Sequence, residues 1–437
     1  MKEEAEDERN VVFSRRFFVS LDVQRTSLPR GWRRLTLTLV SLLCTASLAR
    51  EARAEWPPLP RVLELSKERS LSARDANAQV AIAGSYQTWA RLPWLTNPYF
   101  EFQATKGPST KDLAFYSFLM LPVEINGQRG ARIDEADAML RWRTDVRDDV
   151  KARTAGDAIT VWGIATAASA RVVQYKKAQA DAKSELDYYA ARLAAGDATQ
   201  VDKSLAEAEV ARYAQLEAEA TIELLDAKSR LEGVLGTVVD LPPKDAEVPP
   251  APKLTTADAF AKRVVDGSAT LRALTHEASY WDAQRSRVAR DANVPLNFIV
   301  NFGRTDLGEF QFGGGLSWNF PITIRNQGAV AQAEAQRDRA DALHASTEPF
   351  IASRARSLFE QFTIARDALE AVDKNAIPAA EHVVEYTEQQ YKAGKTEYLH
   401  VLQARRDRAT ANARRLDLLE TLWRKYGDMV ALTGELP

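Results

Sequence analysis

The chain has 437 residues, a formal net charge of −2 at pH 7, 27% charged residues and a single cysteine. The balanced charge, with no Lys/Arg run in the main body, argues against a nucleic-acid partner. One cysteine excludes an intrachain disulfide or a thiolate-built metal site. The alanine-rich, charged composition favours long packed helices over a compact α/β core.

Near the N-terminus, Arg33-Arg34 precedes an apolar run over 35–48, which is followed by Ala52-Arg53-Ala54. The basic flank, the apolar stretch too short to span as a mature helix and the A-x-A end predict a secretory signal within 1–54, cleaved after Ala54. An anchor helix is the alternative reading of the same run. Cys44 lies inside it, and Ser41-Leu42-Leu43 lacks the small residue that precedes a lipidated cysteine. No later stretch reaches the ~20 apolar residues of a transmembrane helix, so any further membrane crossing must use strands.

Residues 59–94 read as one helix, with Val62, Leu65, Leu71, Ala78 and Ile82 facing inward; the X-Pro pairs Leu92-Pro93 and Asn97-Pro98 end it. The period then changes to two. Phe100, Phe102 and Ala104 alternate with Glu101 and Gln103, and after Lys106-Gly107-Pro108 a more uniformly apolar strand covers 113–121. From 131 to 194 there is no proline, and one helix of that length would span roughly 96 Å. Val172, Tyr175, Ala178, Ala182, Leu186, Tyr189 and Leu193 form a seam with the 3.5-residue average of a coiled coil. Ala195-Gly196-Asp197 reverses the chain. The helix over 201–235 returns, with Val201, Leu205, Ala208, Ala211, Ala218, Ile222 and Leu225 in rough register.

A Pro-rich linker over 241–253 leads into a second run of the same parts. Leu296, Phe298, Val300 and Phe302 alternate with Asn297, Ile299, Asn301 and Gly303. Beyond a turn at 304–309, Phe310, Phe312, Leu316, Trp318 and Phe320 alternate with Gln311, Gly313, Gly315, Ser317 and Asn319. One aromatic face backed by Asn, Gln, Ser and Gly is the pattern of transmembrane β-barrel strands with a polar lumen. A sandwich strand on an ordinary core is the competing reading. Four strands cannot close a barrel of useful bore, so a membrane barrel also requires oligomerisation. Pro349 and Pro378 predict a kinked or broken long helix in this second half.

The two runs are one duplication. Gly130-Ala131 recurs at Gly328-Ala329, Ala195-Gly196 at Ala393-Gly394 and Leu235-Gly236 at Thr433-Gly434, each 198 residues on. The expected organisation is an N-terminal extension and signal (1–54), a first repeat (55–240), the linker (241–253) and a second repeat (254–437). The fold class is mainly α with a membrane β-part.

The motif Gln390-Tyr391-Lys392-Ala393-Gly394-Lys395, continuing to Ala404, resembles the TolC-like outer-membrane efflux proteins. So do the closing Ala431-Leu432-Thr433-Gly434 and the first-copy residues 195–202. With Asn97-Pro98 they look closest to the branch serving heavy-metal resistance-nodulation-division pumps. The resemblance covers nearly all of the chain after residue 54. It implies a homotrimer with four strands per protomer in one twelve-stranded barrel, set in outer-membrane lipid, and a long helical tunnel in the periplasm. It further implies a passive exit duct, not an enzyme and without a cofactor, whose tips meet a periplasmic adaptor serving an inner-membrane pump. A secreted or periplasmic coiled-coil scaffold without channel activity is the alternative.

The resemblance places the helical reversals at Gly196 and Gly394. Thr199 and Asp202 match the first-tip pattern, and with Thr396 they are expected to dock the adaptor; capping of the return helix by Thr199 and Asp202 is compatible with that role. Asp197 and Ala198 depart from the family pattern, which often has apolar residues there. Some members close the tunnel with aspartates at positions occupied here by His400 and Gln403. Three His400 rings near an axis would make a constriction that becomes cationic in acid. His276, His344, His382 and His400 show no metal-ligand spacing, and Gly313-Gly314-Gly315 sits within a strand and not before a phosphate-binding helix.

Overall fold

The computed structural model describes residues 55–437, apart from 94, 109–111, 254–255 and 294. The predicted signal, Cys44 and Val294 lie outside the described residues. The first half comprises α1 (Leu59–Arg69), α2 (Leu71–Ala90), β1 (Tyr99–Thr105), β2 (Ala114–Val123), α3 (Gln128–Ala194) and α4 (Gln200–Leu235). The second comprises α5 (Ala257–Gly267), α6 (Ala269–Asp291), β3 (Leu296–Arg304), β4 (Phe310–Ser317), α7 (Gln327–Ala371), a π-helical segment (Val372–Ala376), α8 (Ile377–Lys392) and α9 (Tyr398–Thr433).

The duplication is visible in the caps. Gly196 and Gly394 take φ of 80° and 70°, and Gly236 and Gly434 take 62° and 71°. These left-handed positions cost glycine little, and at each the chain leaves a helix. The expected single helix over 59–94 is instead two, broken at Ser70, whose Oγ accepts from Ala73 N at 3.1 Å. Ser268, 198 residues on, does the same between α5 and α6, its Oγ accepting from Leu271 N at 3.2 Å. The break resets the helical phase. Leu71, Ala78 and Ile82 are therefore exposed, and Ala73, Ala76, Ala83 and Ala90 face inward in their place.

α3 is the spine, with 67 residues and hence a length of about 100 Å. It packs against α2, α4, α6 and α9. Its coiled-coil seam holds: Ala182 and Tyr189 are buried and the other five seam residues are half-buried. The return helix α4 corrects the sequence reading. It buries Ala206, Tyr213, Ala220, Leu224, Ala227 and Leu231, whereas Val201, Ile222 and Leu225 of the predicted face are 65%, 68% and 55% exposed. The helix has two apolar faces, and only one is spent within the chain.

At mid-length an aromatic belt joins the halves. Trp162 lies 5.1 Å from Trp423 and 5.8 Å from Trp56, and Tyr426 packs on Trp423 and Phe362. The linker has no helix or strand, but it is pinned to this belt. Trp423 Nε1 donates to Glu247 O at 2.8 Å, and Ser169 Oγ donates to Pro242 O at 3.4 Å. Arg171 of α3 clamps both return helices, pairing with Glu223 of α4 and with Asp417 and Glu420 of α9.

The two prolines behave differently. α7 runs through Pro349 without a break. Pro349 lies on the exposed side, where the carbonyl it leaves unpaired stays open to water. Pro378 does interrupt the helix: five residues of π-helix precede it and absorb the missing hydrogen bond. β4 ends at Ser317, short of the expected Phe320, because Pro321 follows and its ring cannot donate to a ladder.

Candidate channel lining and helical tips

The four strands form one antiparallel sheet in the order β1-β2-β3-β4, so β1 and β4 are its open edges. Directly opposed residues share a face, and the register therefore sorts the sheet. Phe100, Phe102, Leu119 and Val300 fall on one face, together with Phe298, Phe312 and Leu316. Across this face runs an aromatic ladder: Phe102–Phe115 at 6.0 Å, Phe115–Phe302 at 5.6 Å and Phe302–Phe310 at 5.9 Å. It is broadly exposed, and among the described residues no other element covers it. The opposite face carries Glu101, Gln103, Asn297, Asn301 and Gln311, with Tyr99, Tyr116 and Phe118 beside them. Strands of 7–10 residues at ~3.3 Å each approach the thickness of a bilayer core. Among the described residues no helix is long and apolar enough to cross a membrane.

The glycine run of β4 is part packing and part open. A Cβ on Gly313 would stand 2.4 Å from Asn301 Oδ1, whereas Gly315 meets nothing. Where the sheet meets the helices, Arg132 of α3 is fully buried and forms a two-pronged pair with Glu124 at 2.6 and 2.7 Å. Its Nη2 also donates to Leu92 O at 3.2 Å.

At the other end of α3 the two tips come together. Gly196 and Gly394 are exposed turn residues, and a Cβ added to either would meet open space. Thr199 and Asp202 form a full capping box: Asp202 N donates to Thr199 Oγ1 at 3.2 Å, and Thr199 N donates to Asp202 Oδ2 at 2.9 Å. At the second tip the equivalent cap is Glu397, which makes no side-chain cap bond, and Thr396 sits one residue before it. His400 and Gln403 are both exposed on the first turns of α9, and Gln403 Nε2 donates to Asp407 Oδ1 at 2.9 Å.

Of the groups that hold the tips together, the sequence singled out Tyr189 only as a seam residue and Tyr391 only within the tip motif. Tyr189, Ala206, Tyr398, Val401 and Leu402 form a small buried cluster shared by both hairpins. The Tyr189 hydroxyl donates to the Tyr391 hydroxyl at 2.9 Å, and Arg192 Nη1 donates to the same oxygen at 3.2 Å. Burial pushes the Tyr189 and Tyr398 phenols well above their ordinary range. Below the cluster, Arg405 of α9 bridges Glu185 of α3 and Glu388 of α8, while Arg406 pairs with Glu209 of α4. The adjacent Arg405-Arg406 doublet, facing carboxylates on three other helices, was the available signal. Among the described residues no group of three or more His, Cys, Asp or Glu could hold a metal ion.

This geometry is an open-edged sheet with one apolar and one polar face, joined to long helices that end in paired tips. Residues 258–435 match the outer membrane efflux protein family. No curated protein matches the chain by sequence. Solved structures share the fold. A membrane protein from Pseudomonas aeruginosa aligns at 15% identity, TM-score 0.71, over 86% of this chain and 93% of that one. The CmeC outer membrane channel of Campylobacter jejuni aligns at 14% identity, TM-score 0.68, over 86% and 85%. The open state of the MtrE outer membrane channel of Neisseria gonorrhoeae aligns at 17%, TM-score 0.68, over 88% and 92%.

Proposed function

We propose that this chain, a member of the TolC-like outer-membrane efflux proteins, is the passive exit duct of a tripartite efflux system. The single observation that carries the reading is the sheet. It presents an uncovered aromatic face, a polar face and two open edges, which suits a strand set completed by further copies and bathed in lipid. A soluble scaffold has no use for such a face.

Three copies would close a twelve-stranded barrel in the outer membrane, with the helices reaching into the periplasm. The second apolar face of α4, at Val201, Ile222 and Leu225, supports the same assembly, since a neighbouring copy can cover it. Partners are a periplasmic adaptor and an inner-membrane pump. The finer assignment, a pump of the resistance-nodulation-division type near the heavy-metal branch, rests on the tip sequence 390–404 and on Asn97-Pro98. The repeats 55–240 and 254–437, joined by 241–253, act as two alternating kinds of wall segment.

Gly196, Thr199, Asp202, Gly394 and Thr396 are proposed to dock the adaptor. Gly196, Thr199 and Gly394 are exposed and Asp202 and Thr396 half-buried at the shared end of both hairpins, which supports this role. His400 and Gln403 are proposed to face the narrowest part of the tunnel, which their exposure on the first turns of α9 allows. The test is the mass and shape of the protein extracted in mild detergent from purified outer membranes. A trimer with a long hollow stalk is expected; a monomer or dimer recovered without detergent would overturn the duct.

A further inference from the structure

On the polar face of the sheet, Glu101 is the only charged side chain among the described strand residues. The second-half strands contribute Asn297, Asn301 and Gln311 to that face, all neutral. Glu101 is also held in place. The Tyr99 hydroxyl donates to its Oε2 at 2.7 Å, and Gln103 Nε2 donates to its Oε1. Across the ladder it stands opposite Phe118, whose ring packs on Tyr99 at 5.5 Å and on Tyr116 at 5.9 Å. Its neighbours are therefore uncharged donors and aromatic rings. No described lysine, arginine or histidine pairs with it, in contrast to Glu124, which Arg132 neutralises at the root of the sheet.

We infer that Glu101 determines the charge preference of the barrel, admitting cations over anions. Resting on the duct reading above, three chains set three Glu101 carboxylates at one height of the lumen, a ring of fixed negative charge facing the solute. A pinned, uncompensated carboxylate repels anions and concentrates cations without binding either tightly, as a passive duct requires. Its reach is the Debye length, about 30 Å in 0.01 M salt and about 10 Å in 0.1 M. The helical tips lie about 100 Å away along α3, so tip charges and the Glu101 ring act through separate, screened fields.

That separation supplies the test. Reversal potentials would be measured for the purified protein in planar bilayers under a KCl gradient of about 0.01 to 0.1 M, set in either direction. With the dilute solution at the barrel mouth, the wild type should be cation-selective. Glu101→Gln, which keeps the hydrogen bond from Tyr99, should lose most of that preference, and Glu101→Lys should reverse it. With the dilute solution at the tips, both variants should shift the potential by a clearly smaller amount. Equal potentials for wild type and Glu101→Gln with dilute salt at the barrel, at unchanged single-channel conductance, would overturn the inference. Absence of any conducting channel from the wild type would overturn the duct reading instead.

Discussion

Gly163 lies so close to the Trp423 indole that a Cβ on it would stand 2.1 Å from Trp423 Cγ. One heptad earlier, a Cβ on Gly156 would stand 2.5 Å from Gly427 O, and one on Gly427 would stand 2.6 Å from Gly156 O. Glycines on both helices thus set the distance between α3 and α9, and the aromatic belt closes over the gap.

Alanine at Gly163 or Gly156 gains about 1 kcal/mol of helix propensity. Neither neighbour can yield, since one is a buried indole and the other is backbone, and overpacking of this kind costs about 1–3 kcal/mol or more. Both variants should therefore be destabilised. Gly233→Ala, within α4 and with open space where its Cβ would stand, should be neutral or stabilised. Thermal unfolding in detergent followed by helical circular dichroism checks the contrast; a stabilised Gly163→Ala would refute the packing argument.

Thr199 separates capping from docking. Thr199→Ala removes a cap worth about 1 kcal/mol, whereas Thr199→Ser keeps it. Thr396→Ala should leave stability unchanged, because Thr396 makes no cap bond. If the tips dock the adaptor, Thr396→Ala should still weaken adaptor cross-linking in intact cells. Loss of cross-linking confined to the uncapped Thr199→Ala would mean that capping alone is at work.

Asp157 of α3 gives a pH signature. Partial desolvation and the nearby Asp428 of α9 both raise its carboxyl above the usual carboxylate range. A carboxyl raised on folding binds its proton more tightly in the folded state, so stability is greatest in acid and falls as pH rises through the shifted value. Asp157→Asn should therefore raise the unfolding midpoint at pH 7 and leave it unchanged at about pH 3. A variant that gains equally at both pH values would remove the electrostatic explanation.

His400 tests the proposed tunnel end. If three imidazoles line the constriction, cation conductance should fall as they gain charge in acid, and His400→Ala should lose that dependence. Single-channel recordings of both proteins between about pH 5.5 and 8 decide it. Identical pH profiles would place His400 away from the conduction path.

Much of this was legible in the sequence because the periods are long and clean. The strand alternation at Leu296–Arg304, the Gly196 and Gly394 reversals and the seam through Tyr189 all follow from spacing. What failed was phase. A single buried serine, Ser70, breaks a helix that composition alone would continue, and it rotates every residue after it. The return helix failed for another reason: it is apolar on two sides, and sequence cannot say which side its own chain takes. The tip network was hidden because Arg405, Glu185 and Glu388 come from three different helices, and only folding brings them together.

The unpaired edges of β1 and β4 also constrain how the protein is made. A chain placed alone in lipid would leave two rows of backbone donors and acceptors without partners in a medium that supplies none. In the proposed trimer, insertion and assembly must then be a single event, with each chain kept out of the bilayer until two others arrive. One protomer with a faulty edge strand removes two sound ones from service. A damaged copy in the cell should accordingly lower duct number by more than its own share of the pool.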